Sequence, residues 1–241
     1  ETPDLHHLYR AMDFLERNKE EIERAIYFRM ADLLNADVDL IFYDTTSLHF
    51  EIDEEDDDLR RRGHSKNGRG DAPQVVVGLA VTRDGLPVRS WVFPGNTSDV
   101  ATVERVKADL KGWKLNRCVF VGDAGMSSAE NRRTLSLGGG RYILAARMRA
   151  DDEVTTEVLT RAGRYQKLAG NLEVKEVVVG EGERRRRYVV CHNPEEAERQ
   201  RKHRAQLLEA LALELEGEAL REGQHARQTC ELIASRRFGR Y

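Results

Sequence analysis

Apolar and polar positions along the chain predict helices near both ends and strands between them. Before residue 36, apolar side chains recur every three or four positions, which predicts a helical lead-in with a break near Asn18. The stretch Val38 to Glu51 begins as an apolar run and then alternates, as expected for a strand that enters a core and leaves it half-exposed. Asp44 lies in the middle of this stretch. A carboxylate there is costly to bury as an ion unless a cation or hydrogen-bond donors offset the cost.

The segments that follow predict a mixed sheet. Two strand patterns flank Asp84-Gly85, a strong signal for a β-hairpin, and two shorter strands alternate with helices. The order βββ-α-β-α-β predicts an antiparallel meander continued by βα units, with helices on the faces of the sheet. We therefore expect an α/β fold. The predicted elements are strands at 38–51, 74–83, 86–95 and 141–147, a short strand ending at Asp123, a helix capped by Thr97, Ser98 or Asp99, and a helix at 127–137.

A different pattern begins near residue 150. A helical stretch at 151–162 precedes an alternating pattern at about 172–191, which predicts a β-hairpin. Asn193-Pro194, followed by two acids, is typical of a helix start, and the region 194–237 predicts a helical hairpin. The predicted regions are a helical lead-in at 1–37, a core at 38–149 and a module at 150–241.

The amino-acid composition indicates a globular protein rather than a membrane protein. Hydrophobic residues make up 40% of the chain and charged residues 34%, and no apolar run approaches the roughly 20 residues of a membrane span. Three scattered cysteines are too few for a disulfide framework, which favours a reducing, cytoplasmic location without a membrane partner. The net charge of -3 argues against a uniformly basic nucleic-acid binder. Neither end looks like a natural terminus, so we expect a fragment.

Two acids in matching contexts are the main chemical signal. Asp44 and Asp123 each follow a short apolar run, which predicts two carboxylates at the ends of buried strands, and carboxylate oxygens are the ligands that Mg²⁺ prefers. Two such ions about 4 Å apart stabilise the attacking and leaving oxygens in phosphoryl transfer, and such sites normally need a third acid. The alternative is that each Asp is an ordinary turn or cap residue.

Six segments of the chain, taken in order, indicate a protein family far more specifically together than any one of them does alone. The combination resembles the prokaryotic insertion-sequence transposases of the DDE type, which have an RNase H-like catalytic core. The likeness extends from roughly residue 5 to residue 241. The segments are YDTT at 43–46, GHSKNGRGDAPQVVVGLAV at 63–81, DGLPV at 84–88, FPGNTSD at 93–99, VGDAGMSSAEN at 121–131 and RYILAAR at 141–147.

The resemblance implies a site and an activity. By this resemblance, Asp44 is the first catalytic acid and Asp123 the second. Together they would bind two Mg²⁺ or Mn²⁺ ions that take part in phosphodiester hydrolysis and strand transfer. The implied partner is double-stranded DNA, both transposon ends and target, with a homodimer in the synaptic complex and a place at the prokaryotic nucleoid. The module at 150–241 matches an insertion that precedes the third acid. That acid is a Glu in a pattern with Tyr, Arg and Lys, and the chain reaches Tyr241 without it.

Two alternatives stay open at this point. A haloacid-dehalogenase-type phosphatase also has a nucleophile strand and a GD motif, but Thr46 stands where its second Asp belongs. The other alternative is a DNA-binding remnant of a transposase without turnover, and even the transposase interpretation predicts little activity for this chain alone.

Basic residues are weaker candidates for contacts to a DNA backbone. Lys66 and Arg69 lie in a polar loop, and Arg184, Arg185, Arg186 and Arg187 lie in the predicted hairpin. Phosphate contacts and ordinary solvated or strand-edge charge explain them about equally well. The remaining polar and aromatic candidates, which we interpret as surface or core residues, are Glu195, Glu196, Glu198, Glu209, Cys191, His192, His203, Trp91 and Trp113.

Overall fold

The computed structural model divides the chain into two units, residues 1–150 and 151–241. The residues that it describes are 3–34, 38–56, 58–64, 68–113, 115, 117–148, 151, 153–182, 185–217, 225–235 and 237–238.

The first unit contains four α-helices and five strands in its described residues. Two short 3₁₀ turns, Ala124–Met126 and Leu137–Gly139, flank the fourth helix. The order of elements is the predicted one, and the break near Asn18 is confirmed. The elements are α1 (Leu5–Arg17), α2 (Lys19–Leu34), β1 (Leu40–His49), β2 (Gln74–Thr82), β3 (Pro87–Pro94), α3 (Asp99–Gly112), β4 (Val119–Gly122), α4 (Ala129–Ser136) and β5 (Arg141–Leu144).

The five strands form one mixed sheet in the order β3-β2-β1-β4-β5. The first three strands are an antiparallel meander, whereas β4 pairs in parallel with β1 and β5 pairs in parallel with β4. Gly85 has a φ of 79° in the turn between β2 and β3, a conformation that glycine adopts without a steric penalty. The expected meander continued by βα units is confirmed, and with it the RNase H-like α/β class.

The sheet buries one face and leaves the other open. Along β1 the odd-numbered residues from Ile41 to Ser47 are buried and the even-numbered ones are exposed, as the two-residue period of a strand requires. The covered face packs against Val103, Val106 and Leu110 of α3, which form one core with it. We call the opposite side the open face. Its apolar residues, between 39% and 58% exposed, are Phe42, Leu48, Leu79, Val92 and Ile143.

Helix α2 is held to the edge strand β3 by polar contacts. Glu23 Oε1 accepts hydrogen bonds from the backbone N–H and the hydroxyl of Ser90, at 3.2 and 2.7 Å. Lys19 Nζ donates to the backbone oxygen of the same serine at 2.6 Å. These bonds satisfy groups at a strand edge that no further strand covers within the described residues, and edges of that kind otherwise invite pairing with another chain.

The second unit differs from the prediction in two places. In the region expected to be helical over 151–162, the described residues form a single π-helical turn, Val154–Val158, because four of its five residues are β-branched and disfavour a longer α-helix. The expected hairpin is part of a three-stranded sheet, since Gln166–Ala169 adds a strand that has no apolar alternation and is exposed throughout. The strands, in antiparallel order, are β6 (Gln166–Ala169), β7 (Leu172–Val179) and β8 (Arg186–His192).

Two helices follow this sheet, α5 (Pro194–Gly217) and α6 (His225–Ala234). The predicted start of α5 is confirmed, because the side-chain oxygen of Asn193 accepts the backbone N–H of Glu196 at 3.0 Å. In the part of the chain that the structure describes, no helix is both long and apolar enough to cross a membrane.

Candidate active site

Parallel pairing between β1 and β4 brings the two predicted acids to corresponding positions. Phe42 pairs with Val121; Asp44 comes two residues later within β1, and Asp123 comes two residues later, just past the end of β4. Residues two apart point to the same side of a strand, so Asp44 belongs to the open face, and both acids are exposed. Adjacent strands lie about 4.8 Å apart, so the chain reaches Asp44 and Asp123 from paired positions on neighbouring strands.

The two acids differ in their position along the strand. We expected both to lie at strand ends, but β1 continues from Asp44 to His49, and only Asp123 follows the end of its strand. The reason is that β1 has two neighbours. Its pairing with β4 stops after Phe42, whereas its antiparallel pairing with β2 continues to His49. Asp44 thus lies where β1 loses one neighbouring strand but keeps the other.

Each acid accepts one local backbone hydrogen bond. Oδ1 of Asp44 accepts the N–H of Thr45 at 2.7 Å, and Oδ1 of Asp123 accepts the N–H of Gly125 at 2.9 Å. Asp123 is therefore the N-cap of the 3₁₀ turn Ala124–Met126, as the alternative interpretation expected. Among the described residues, Oδ2 of neither acid accepts a hydrogen bond, which leaves an oxygen in each carboxylate for a cation.

A third acid, Asp99 in the first turn of α3, lies beside the site. The hydroxyl of Thr45 donates to Oδ1 of Asp99 at 2.5 Å. A methyl group built on Gly125 would lie 2.8 Å from Oδ2 of Asp99 and 3.1 Å from Oδ1 of Asp123. Both carboxylates therefore approach a single point, and the absence of a side chain at Gly125 makes room for them.

The sequence prediction assigned Asp99 to a different task. We expected Thr97, Ser98 or Asp99 to cap α3, and Ser98 occupies the cap position without a side-chain cap bond. The side chain of Asp99 instead reaches β1. The signal that could have identified Asp99 is the segment FPGNTSD, in which this acid follows the residue that takes the cap position.

Asn131 of α4 fixes the distance between Asp99 and the turn after Asp123. Its side-chain amide donates to the backbone oxygens of Val100 and Met126, both at 2.9 Å. Asn131 is 5% exposed, so these bonds replace solvent that cannot reach it. The first turn of α3 is thereby tied to the 3₁₀ turn that Asp123 caps.

Negative charge accumulates around this part of the sheet. Burial raises the pKa of Tyr43 to about 12, and the charges of Asp99 and Asp44 also raise it. Three hard carboxylates beside the interior strands β1 and β4 fit a divalent metal ion such as Mg²⁺. Within the described ranges, however, the ligand atoms of these acids are not gathered within 4.8 Å of one another. The one such group of three described there is Asp4, His6 and His7, at the exposed start of α1.

The basic residues expected to contact DNA belong to different segments of the chain. Lys66 and Arg184 lie outside the described residues. Arg69 pairs with the carboxylates of Glu51 and Asp71, both at 3.3 Å. The guanidinium of Arg69 therefore forms ion pairs within its own loop.

Arg186, the first residue of β8, has different surroundings from its neighbours Arg185 and Arg187. Arg186 forms an ion pair with Glu153 at 2.6 Å, and Tyr188 donates to the same carboxylate, so this arginine is part of the packing of the second unit. Arg187 is 69% exposed and only 3.9 Å from Glu176, and Arg185 is also exposed. These two arginines are exposed to solvent.

The sheet order is that of an RNase H-like fold, and residues 40–221 match the family model described as a transposase DDE domain. This match covers well over half of the chain, so the chain belongs to the family of transposases with a DDE domain. Nothing found in the comparisons supports the phosphatase alternative. Among curated proteins, no sequence matches the chain significantly.

Solved structures of transposases are similar to the chain at low identity. A complex of the Mos1 transposase with the left transposon end is 13% identical, with 52% of this chain and 40% of that chain covered and a TM-score of 0.33. A synaptic complex of the piggyBac transposase with hairpin DNA is 12% identical, with 64% and 32% covered and a TM-score of 0.37. The chain thus spans less than half the length of either protein.

Proposed function

We propose that this chain carries the first two catalytic acids of a DNA transposase, Asp44 and Asp123. The whole enzyme would hydrolyse phosphodiester bonds at transposon ends and transfer the freed strand to target DNA. The observation that supports the proposal is the parallel pairing of Phe42 in β1 with Val121 in β4, two residues before each acid, inside the segment that matches the family. An origin in a prokaryotic insertion sequence belongs to the same proposal.

Asp44 and Asp123 would hold two Mg²⁺ or Mn²⁺ ions. Bound divalent ions supply positive charge to the phosphate and lower the pKa of a bound water or hydroxyl. The protein's own part is to fix the two carboxylates. The backbone N–H groups of Thr45 and Gly125 each hold one oxygen, and the strand pairing sets the spacing of the acids.

Double-stranded DNA is the proposed partner, and a homodimer is the proposed assembly on it. Arg185 and Arg187 could contact the phosphate backbone, since both are exposed on or next to the edge strand β8. A cytoplasmic location at the nucleoid agrees with Cys118, Cys191 and Cys230, which are free thiols.

The test is Mn²⁺ binding, followed by the electron paramagnetic resonance of free Mn²⁺, on the parent chain and on Asp44→Asn and Asp123→Asn. We expect weak binding by the parent, because two carboxylates supply only part of a ligand set, and loss of that binding in both variants. Nicking of supercoiled plasmid should be slight or absent. Equal Mn²⁺ binding by the parent and both variants would contradict the metal site.

A second assay separates the transposase proposal from a phosphatase. Hydrolysis of p-nitrophenyl phosphate should be no faster than in buffer, since the phosphatase alternative needs an acid at position 46 and Thr46 stands there. Rapid turnover that Asp44→Asn abolishes would favour the phosphatase instead.

A further inference from the structure

We propose that Asp99 is an additional acidic ligand of this site and holds a divalent cation together with Asp123. The inference rests on the proposed function, because it assigns one more residue to the same metal site. It differs from the sequence prediction, in which Asp99 belonged only to a helix cap.

The first support is the approach of the two carboxylates. Oδ2 of Asp99 and Oδ1 of Asp123 lie 2.8 and 3.1 Å from the point where a Cβ of residue 125 would stand. The two oxygens are therefore no further apart than the sum of these distances, within the reach of one bound cation and its waters. Carboxylate oxygens are the ligands that divalent ions such as Mg²⁺ prefer.

The second support is the orientation of Asp99. Oδ1 of Asp99 accepts the hydroxyl of Thr45, which is 54 positions away and 4% exposed. Thr45 points to the covered face, so Asp99 reaches the site from the side of α3, whereas Asp44 reaches it from the open face.

The third support is that the surrounding bonds hold this arrangement. Asn131 ties the first turn of α3 to the turn after Asp123 through Val100 and Met126. A carboxylate held by neighbouring bonds loses little further entropy on binding a cation, so it is a better ligand than a free surface acid.

A structural role for Asp99 makes different predictions. If Asp99 only satisfied the buried hydroxyl of Thr45, its loss would lower stability and leave metal affinity unchanged. Asp109 provides the matched control, since it lies on the same helix and its carboxylate accepts Trp91 Nε1–H at 2.8 Å and pairs with Arg89 at 3.3 Å.

The experiment measures Mn²⁺ affinity by electron paramagnetic resonance in the parent chain, Asp99→Asn and Asp109→Asn. We expect Asp99→Asn to weaken binding about tenfold or more, in the range seen when metal-site carboxylates or their partners are removed. Asp109→Asn should lower the melting temperature and leave Mn²⁺ affinity within about twofold of the parent. Asp99→Glu, which keeps the charge, should restore part of the affinity.

Thr45→Val gives a second measurement in case Asp99→Asn does not fold. It removes the hydroxyl that orients Asp99 and keeps the shape of the side chain, so we expect a smaller loss of affinity in the same direction. Parent-like affinity in both Asp99→Asn and Thr45→Val would overturn the inference.

The outcomes also separate this inference from the proposed function. If Asp44→Asn and Asp123→Asn abolish Mn²⁺ binding while Asp99→Asn preserves it, Asp99 is not a ligand and the proposed function stands. If none of the three substitutions changes Mn²⁺ binding, both the inference and the proposed metal site are wrong.

Discussion

Phe42 of β1 pairs in parallel with Val121 of β4, and this pairing sets the geometry of the candidate active site. Two residues further along, Asp44 lies on the open face and Asp123 follows the end of β4. A shift of β1 by one residue would turn Asp44 toward the covered face, where α3 packs and a charged side chain is costly. The core packing of Ile41 and Tyr43 on the covered face therefore also specifies the position of Asp44, which follows Tyr43.

We expect replacement of either paired acid by Asn to preserve stability without metal. Asn keeps an oxygen for the backbone N–H of Thr45 or Gly125, and it removes the repulsion between neighbouring carboxylates. The melting temperature of Asp44→Asn or Asp123→Asn should therefore equal or exceed that of the parent, while the increase caused by added Mn²⁺ should disappear.

Asp123→Ala is the matched comparison, because alanine cannot cap the turn after β4. It should lose about 0.5–2 kcal/mol of stability at any Mn²⁺ concentration. Melting curves with and without Mn²⁺ measure both effects. A clear loss of stability in Asp123→Asn, with the metal response unchanged, would show that this acid has only a structural role.

Gly125→Ala should disturb the acids directly. A Cβ at this position would lie 2.8 Å from a carboxylate oxygen of Asp99 and 3.1 Å from one of Asp123, so the two side chains must move apart. We expect weaker Mn²⁺ binding. Gly112→Ala is the control, since its Cβ would have no other atom within 4 Å and it lies at the end of α3. That substitution should stabilise the chain slightly, by up to about 1 kcal/mol, without changing metal affinity.

The arginines of β8 should separate DNA binding from folding. Arg185→Gln and Arg187→Gln should each weaken binding to double-stranded DNA regardless of sequence and reduce the slope of log affinity against log salt concentration by about one. Arg186→Gln should instead lower the melting temperature, because it breaks the ion pair with Glu153. Fluorescence anisotropy over a salt series measures the slopes. Unchanged slopes in the first two variants would remove these residues from the DNA surface.

Tyr43 should make stability depend on pH in the alkaline range. An unfolded Tyr loses its proton near pH 10, whereas the pKa of Tyr43 is raised to about 12, first by burial. Between these pH values the unfolded state binds fewer protons, so the free energy of unfolding falls as the pH rises. In Tyr43→Phe this fall should be smaller, by on the order of 2 kcal/mol.

Urea unfolding at pH 10 and pH 12 tests the contribution of Tyr43. Tyr9→Phe is the control, since the ring of Tyr9 is 59% exposed on α1. An equal decrease in the parent and in Tyr43→Phe would show that Tyr43 does not contribute.

Much of the fold could be predicted from the sequence because it is encoded by local periodicity. Alternation in 38–51 and 74–95 predicted the meander, and the hairpin signal at Asp84-Gly85 predicted its turn. The strand β6 was missed, since its residues are exposed and carry no alternation, and only its pairing with β7 makes it a strand. The helix expected over 151–162 is shorter than predicted, a π-helical turn at Val154–Val158, and β-branched residues there disfavour a longer α-helix.

The sequence by itself determined which acids follow apolar runs, Asp44 and Asp123, because burial of a run is visible in its residue types. Only the tertiary structure decided that these strands are parallel neighbours and that Asp99 belongs beside Asp123. The contact between Thr45 and Asp99 joins residues 54 positions apart. It depends on how α3 packs across the covered face, and no local pattern of hydrophobic and polar residues specifies that packing.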